Sequence, residues 1–174
     1  MTGFLRQLPH NVDAEMAVLG SLLINNRIAG SLTWLKEEHF VLADHQLIYR
    51  KVMSVIDEGR IADLVTMKEL FTTEETLDQA GGVDYLIRLS ECAAPRVNAV
   101  EYANLLVEMH QRREMISISE RLTATGFKVN GVGAPQLLVE AINQLETLRA
   151  LVPDDCVDDI EDGGAIAGKE FGVV

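Results

Sequence analysis

Apolar residues in this chain recur at intervals of three and four, the period of a helix buried on one face. Pro9-His10-Asn11 stops whatever precedes it and offers Asn11 as an N-cap. Val12, Met16, Leu19, Leu22 and Leu23 follow at helical spacing. Gly20 lies inside that helix, where it costs about 1 kcal/mol relative to Ala, so close packing of a second helix against it is expected. A short helix is predicted over Arg27 to Leu35, with Trp34 and Leu35 as core candidates. Asp44 is positioned as the next N-cap. Leu47, Ile48, Lys51, Val52, Val55 and Ile56 then mark an amphipathic helix that stops at Gly59. Thr66 and Glu69 form a capping-box pattern ahead of Leu70 and Phe71. Gly81-Gly82 breaks the chain, and Tyr85, Leu86 and Leu89 mark a fifth short helix that ends before Pro95.

The last third has longer periods. Asn98 with Glu101 gives a cap signal for a long helix reaching about Thr125, with Tyr102, Leu105, Leu106, Met109, Ile116 and Leu122 on a narrow stripe. Residues 127–134 read as a loop. Pro135 suits the first position, N1, of a final helix striped by Leu138, Ile142, Leu145, Leu148 and Leu151. The expected fold is all-α: a bundle of short helices over residues 1–97, a long antiparallel helical hairpin over 98–152, and an acidic linker or tail over 153–174. Two helices alone bury two stripes poorly. The hairpin is therefore expected to pair with a second copy through Leu106, Met109, Ile116, Leu138, Ile142, Leu145 and Leu148. Periodicity equally allows the hairpin to fold back onto the bundle.

Charge changes this picture in one respect. The net charge is −12, and the segment after Val152 supplies half of the excess. Lys and Arg form no basic stripe, and only 5% of residues are aromatic. Phosphate contacts need clustered cations, so tight direct DNA binding is not expected. No apolar run approaches the roughly 20 residues that span a bilayer, and Met1 to Asn11 lacks signal-peptide features. A cytoplasmic location without membrane contact is the expectation.

The candidate chemistry is sparse. His10, His39, His45 and His110 make no local metal spacing, and Cys92 and Cys156 have no CxxC partner. Neither a metal nor a cofactor site is expected, and no residue is assigned a catalytic role. Glu37-Glu38 and Glu74-Glu75 read as solvated charges near helix ends, and Arg112-Arg113 as a solvated helix face. Gly163 to Lys169 matches seven positions of the P-loop pattern GxxxxGK[ST], but Glu170 replaces the hydroxyl that holds magnesium. No apolar strand precedes it, so chance similarity in a glycine-containing linker is the better reading.

The ordered motifs now carry a resemblance. Leu8-Pro-His-Asn-Val-Asp-Ala-Glu-Met-Ala-Val-Leu-Gly-Ser-Leu-Leu23 resembles the opening of DnaB-type replicative DNA helicases. Phe40 with His45 and Ile48, Asp63 to Thr66, Gly81-Gly82 with Tyr85-Leu86, and Asn98 with Tyr102-Ala103 and Arg113 resemble further family segments in the right order. Asn11, Gly20, Thr66, Gly81 and Gly82 are architectural positions in this pattern. The resemblance implies a non-catalytic N-terminal domain that assembles a hexameric, ATP-dependent helicase into a collar. Its implied partners are further copies of the chain, primase and, in some systems, a helicase loader. ATP hydrolysis and DNA translocation belong, in that family, to a C-terminal RecA-like motor whose P-loop, acidic magnesium site and arginine finger are not found in this sequence. An alternative reading is a stand-alone mimic of this domain that regulates or loads a replicative helicase.

Overall fold

A computed structural model describes residues 7–74, 82–128 and 133–149. Gly81, the P-loop-like string and the acidic segment after Val152 lie outside the described residues. Those described form helices and turns only: α1 (Val12–Ile24), two 3-10 turns (Asn26–Ser31 and Glu37–His39), α2 (Ala43–Asp57), α3 (Leu64–Glu74), α4 (Gly82–Glu91), α5 (Arg96–Gly126) and α6 (Ala134–Arg149). The chain divides into two units, one ending at Arg113 and the other starting at Glu114. The division therefore falls within α5, sixteen residues beyond the expected boundary at residue 97. The reason is packing: Ala99, Ala103, Leu106 and Val107 belong to the core of the first unit.

That first unit is built around α1. Val18, Leu19 and Leu22 are fully buried, and Ala14, Ala17 and Leu23 nearly so. A helix buried around most of its circumference is central, and α1 packs against both α2 and α4. Gly20 permits the second contact. A Cβ there would lie 1.9 Å from the Leu89 carbonyl oxygen of α4. Beside it, Ser21 Oγ accepts the Ala94 N–H at 2.9 Å, tying α1 to the end of α4. Farther along, the Asn26 side chain accepts the Ala62 N–H at 2.8 Å and donates to the Ala62 carbonyl at 3.0 Å. Both polar groups of a buried loop residue are thereby satisfied.

Helix starts differ instructively from the sequence pattern. Asn11 Oδ1 accepts the Ala14 N–H at 2.9 Å and caps α1. α2, in contrast, starts at Ala43, so Asp44 lies in its first turn and is not the cap. The Glu15 carboxylate of α1 accepts the Val41 N–H at 2.6 Å on the approach to α2. That bond fixes the segment leading into the helix, whose cap residue, Leu42, makes no side-chain hydrogen bond. At α3 the cap is Asp63, whose Oδ1 accepts the Thr66 N–H at 2.9 Å. Thr66 is thus the third helical residue, a donor of its backbone N–H to the cap. That hydrogen bond holds the Asp63 carboxyl below its ordinary range. α5 begins at Arg96 with the Pro95 carbonyl accepting the Ala99 N–H at 2.9 Å, which leaves Asn98 exposed in the first turn. Gly59 and Gly82 have φ of 75° and 64°, where L side chains are strained.

The second unit contains the end of α5 and α6. Ile118, Ala141 and Leu148 are buried. Arg121 donates to Gln144 Oε1 at 3.0 Å, linking the two helices. The two helices form an antiparallel hairpin, with the Gly133 carbonyl accepting the Gln136 and Leu137 N–H groups at the start of α6. Pro135 is the second residue of α6, where it sacrifices no helical hydrogen bond.

Candidate functional site

Helix α6 carries two apolar sectors side by side. Ala141 and Leu148 are buried within the hairpin, whereas Leu138, Ile142 and Leu145 are 64%, 53% and 46% exposed. Their spacing of four and three places these three leucine and isoleucine side chains on one row, next to the buried sector. A groove on another side of the helix is lined by Pro135, Gln136, Val139, Glu140, Asn143 and Thr147, and more of its surface is apolar than polar. The periodic stripe seen in the sequence is therefore split between internal packing and an uncovered row.

The seven hairpin residues selected from the sequence do not share one environment. Leu106 is 1% exposed within the first unit's core, and Leu148 is 9% exposed within the hairpin. Both make internal contacts and neither contributes to a free surface. Met109 and Ile116 are half-buried, and only Leu138, Ile142 and Leu145 are largely exposed. Met115, 46% exposed on α5, and Val139, 58% exposed on α6, are apolar surface residues outside the selected set.

A second feature was not visible in the sequence. Glu15, His45 and Tyr85 form a chain of hydrogen bonds through the first unit. His45 Nδ1 lies 2.6 Å from Glu15 Oε2, and His45 Nε2 lies 2.5 Å from the Tyr85 hydroxyl. Glu15 and His45 are buried, 1% and 0% exposed, while Tyr85 is half-buried. Burial, followed by the charge of Asp44, pushes the Tyr85 hydroxyl above its ordinary pKa. Arg88 lies over the Tyr85 ring, 5.6 Å from its centroid. Carboxylate, imidazole and phenol in series are the components of a proton relay. Here both imidazole nitrogens are engaged and the carboxylate also accepts backbone N–H groups, so the arrangement ties α1, α2 and α4 together.

Arg113 makes a comparable tie. It donates to the Pro9 carbonyl at 3.0 Å and the His39 carbonyl at 2.9 Å, with the Glu38 carbonyl at 3.5 Å. The expectation of a solvated Arg pair holds for Arg112, which pairs with Glu108 on the surface. It fails for Arg113, because three backbone carbonyls converge on its guanidinium. Glu37 and Glu38 pair with Arg50 and Lys36 respectively. Cys92 is exposed, and Cys156 lies outside the described residues.

The sequence resemblance thus acquires a physical meaning. Glu15, His45 and Tyr85 come from three separate family segments and meet in one network. Arg113, from a fourth, holds the segment that opens the pattern.

An all-helical head followed by a helical hairpin defines a class of domain, and comparison with known proteins makes it specific. The model of the DnaB-like helicase N-terminal domain family matches residues 7–108, and the chain belongs to that family. It is 31% identical over 150 residues to the replicative DNA helicase DnaB of Rickettsia felis, covering 86% of this chain and 29% of that protein. The DnaB of Leifsonia xyli is 28% identical over 127 residues, covering 72% of this chain and 28% of that protein. The chain spans less than a third of the length of the curated relatives it matches.

Solved structures agree. The N-terminal domain of DnaB helicase from Mycobacterium tuberculosis matches with a TM-score of 0.74 at 26% identity, over 81% of this chain and 99% of that one. A DnaB-like replicative helicase, described with its interactions with primase, matches with a TM-score of 0.64 at 26% identity. That match covers 94% of this chain and 37% of the helicase. The fold is thus the all-α one expected. No helix among the described residues is long and apolar enough to cross a membrane.

Proposed function

We propose that this chain is a non-catalytic assembly and docking domain of a hexameric, ATP-dependent replicative DNA helicase acting in the cytoplasm. The observation that carries this reading is the uncovered row Leu138, Ile142 and Leu145 on α6. Three large aliphatic side chains in one row are a self-complementary surface for a second hairpin, and pairing of hairpins would bury them. Burial of each stabilises by about 1.5–3 kcal/mol when complete. The head, with its satisfied internal network, is the rigid body that such pairing would array. Primase is the proposed docking partner, supported by the similarity to a helicase described with its interactions with primase. A helicase loader is a further proposed partner. ATP hydrolysis and DNA translocation are assigned to the motor of the full-length helicase.

The test is the mass of the purified chain by light scattering, alone and with the Leu145→Asp substitution. Self-association that Leu145→Asp weakens roughly 30-fold, with circular dichroism unchanged, is the expected outcome. A monomer at every concentration, or an oligomer indifferent to the substitution, would overturn the assembly role. Calorimetric titration with primase separately tests the docking role.

A further inference from the structure

Of the four histidines, two meet beside a carboxylate. His39 ends the second 3-10 turn and His110 lies on α5, with ring centroids 5.1 Å apart. Glu38, His39 and His110 each offer a ligand atom, and these atoms lie within 4.8 Å of one another. We propose that Glu38, His39 and His110 form a binding site for a borderline divalent transition metal, zinc foremost.

Two imidazoles and one carboxylate are a ligand set that suits zinc, nickel or cobalt and not magnesium or calcium, which take oxygen ligands. Tetrahedral ligands about 2.0–2.1 Å from zinc stand about 3.4 Å apart, so the cluster must contract slightly. Glu38 has room to move toward an ion, since its side chain is 51% exposed and, among the described residues, pairs with Lys36 at 3.7 Å. His39 needs no deprotonation at neutral pH. Its pKa is pushed down to about 4 by burial first, then by His110, Lys36 and Arg113.

The geometry also specifies what binding displaces. His39 Nδ1 accepts the Lys36 N–H at 3.1 Å, so the proton of the neutral ring is on Nε2. A metal at Nδ1 replaces the Lys36 N–H directly. A metal at Nε2 sends the ring proton to Nδ1, where it opposes the Lys36 N–H. Either route releases that backbone bond, and neither changes the number of protons on the ring. Lys36 and Arg113, which help keep His39 neutral, also oppose a dication. The expected Kd is accordingly on the order of 10 µM, weaker than four-ligand structural zinc sites.

The experiment is calorimetric titration of the untagged, chelator-stripped full chain with zinc chloride at pH 7.5. One saturable site is expected, weakened at least tenfold by His110→Ala and by Glu38→Gln, and unchanged by His10→Ala. Glu38→Gln changes an exposed side chain, so it keeps the test decisive if His110→Ala fails to fold. In amide-resolved NMR, zinc should shift the Lys36 amide and accelerate its exchange. Absence of binding below about 1 mM, indifference to both ligand substitutions, or an unmoved Lys36 amide would each overturn the site. The result is independent of self-association and of primase.

Discussion

The head and the hairpin treat their apolar residues in opposite ways. In the head, large side chains from α1 to the first half of α5 converge on one core, and Phe40, Ile48, Met67, Phe71 and Leu86 are essentially inaccessible. In the hairpin, Ile118, Ala141 and Leu148 are buried, while Leu138, Ile142 and Leu145 remain exposed. The difference is one of geometry. Several helices can surround a central one, whereas in a two-helix hairpin each helix has only one neighbour to cover a limited sector. The family model ends at residue 108, close to the end of the head, while similarity to the full-length relatives continues into the hairpin.

If the head is a saturated, close-packed body, the largest effect should come from Gly20. Gly20→Val would drive a side chain into the Leu89 carbonyl. A loss of about 3 kcal/mol or more is expected, at the upper end of overpacking effects, and denaturant unfolding measures it. A loss below about 1 kcal/mol would mean that α1 and α4 are not rigidly packed. Next comes Glu15→Ala, which strips the buried partner from His45 and from the Val41 N–H. Loss of about 2–4 kcal/mol is expected from leaving such groups unsatisfied. Native-state hydrogen exchange should show the Val41 amide opening first.

The hairpin should behave differently. Leu145→Asp is expected to leave the unfolding midpoint of the isolated chain nearly unchanged, while weakening self-association roughly 30-fold, about 2 kcal/mol, through a desolvated charge. Sedimentation measures the second quantity and denaturation the first. Comparable losses in both would erase the contrast between the two units. A smaller effect distinguishes the caps. Asp63→Ala should cost about 1 kcal/mol as a lost N-cap, and Thr66→Ala less, because the Thr66 backbone N–H is its main contribution to this cap and its side chain a weaker one.

The last prediction is visible only in alkali. Tyr49 donates to the Leu35 carbonyl at 2.7 Å, and burial, then Asp57, pushes its pKa up to about 12. The unfolded phenol ionises near 10. Its folded value is raised, so its contribution is complete below pH 10 and declines as pH rises from 10 through 12. Unfolding titrations should show that decline in the native chain and a shallower one in Tyr49→Phe.

Much of the helical architecture was legible because a helix announces itself locally. The apolar intervals from Val12 to Leu23 and from Leu47 to Ile56 mark α1 and α2, and Gly59 marks a stop with positive φ. Capping was less legible. Asp44, Thr66 and Asn98 are residue types that cap helices, yet Leu42, Asp63 and Pro95 occupy the starts. Several polar residues near a start compete for the role, and residue type alone does not decide between them. The family segments were legible as an ordered set, but their convergence on Glu15, His45 and Tyr85 was not.

Sequence alone determined the all-helical class, the approximate helices and the family, since each depends on local period and ordered motifs. Tertiary structure alone decided which apolar residues remain uncovered. Leu145 and Leu148 are three residues apart on the same stripe, yet one is exposed and the other buried. It also decided that His39 and His110, 71 residues apart, share a carboxylate neighbour. Periodicity specifies the direction in which a side chain leaves its helix. Only the packing of elements distant in sequence specifies what it meets there.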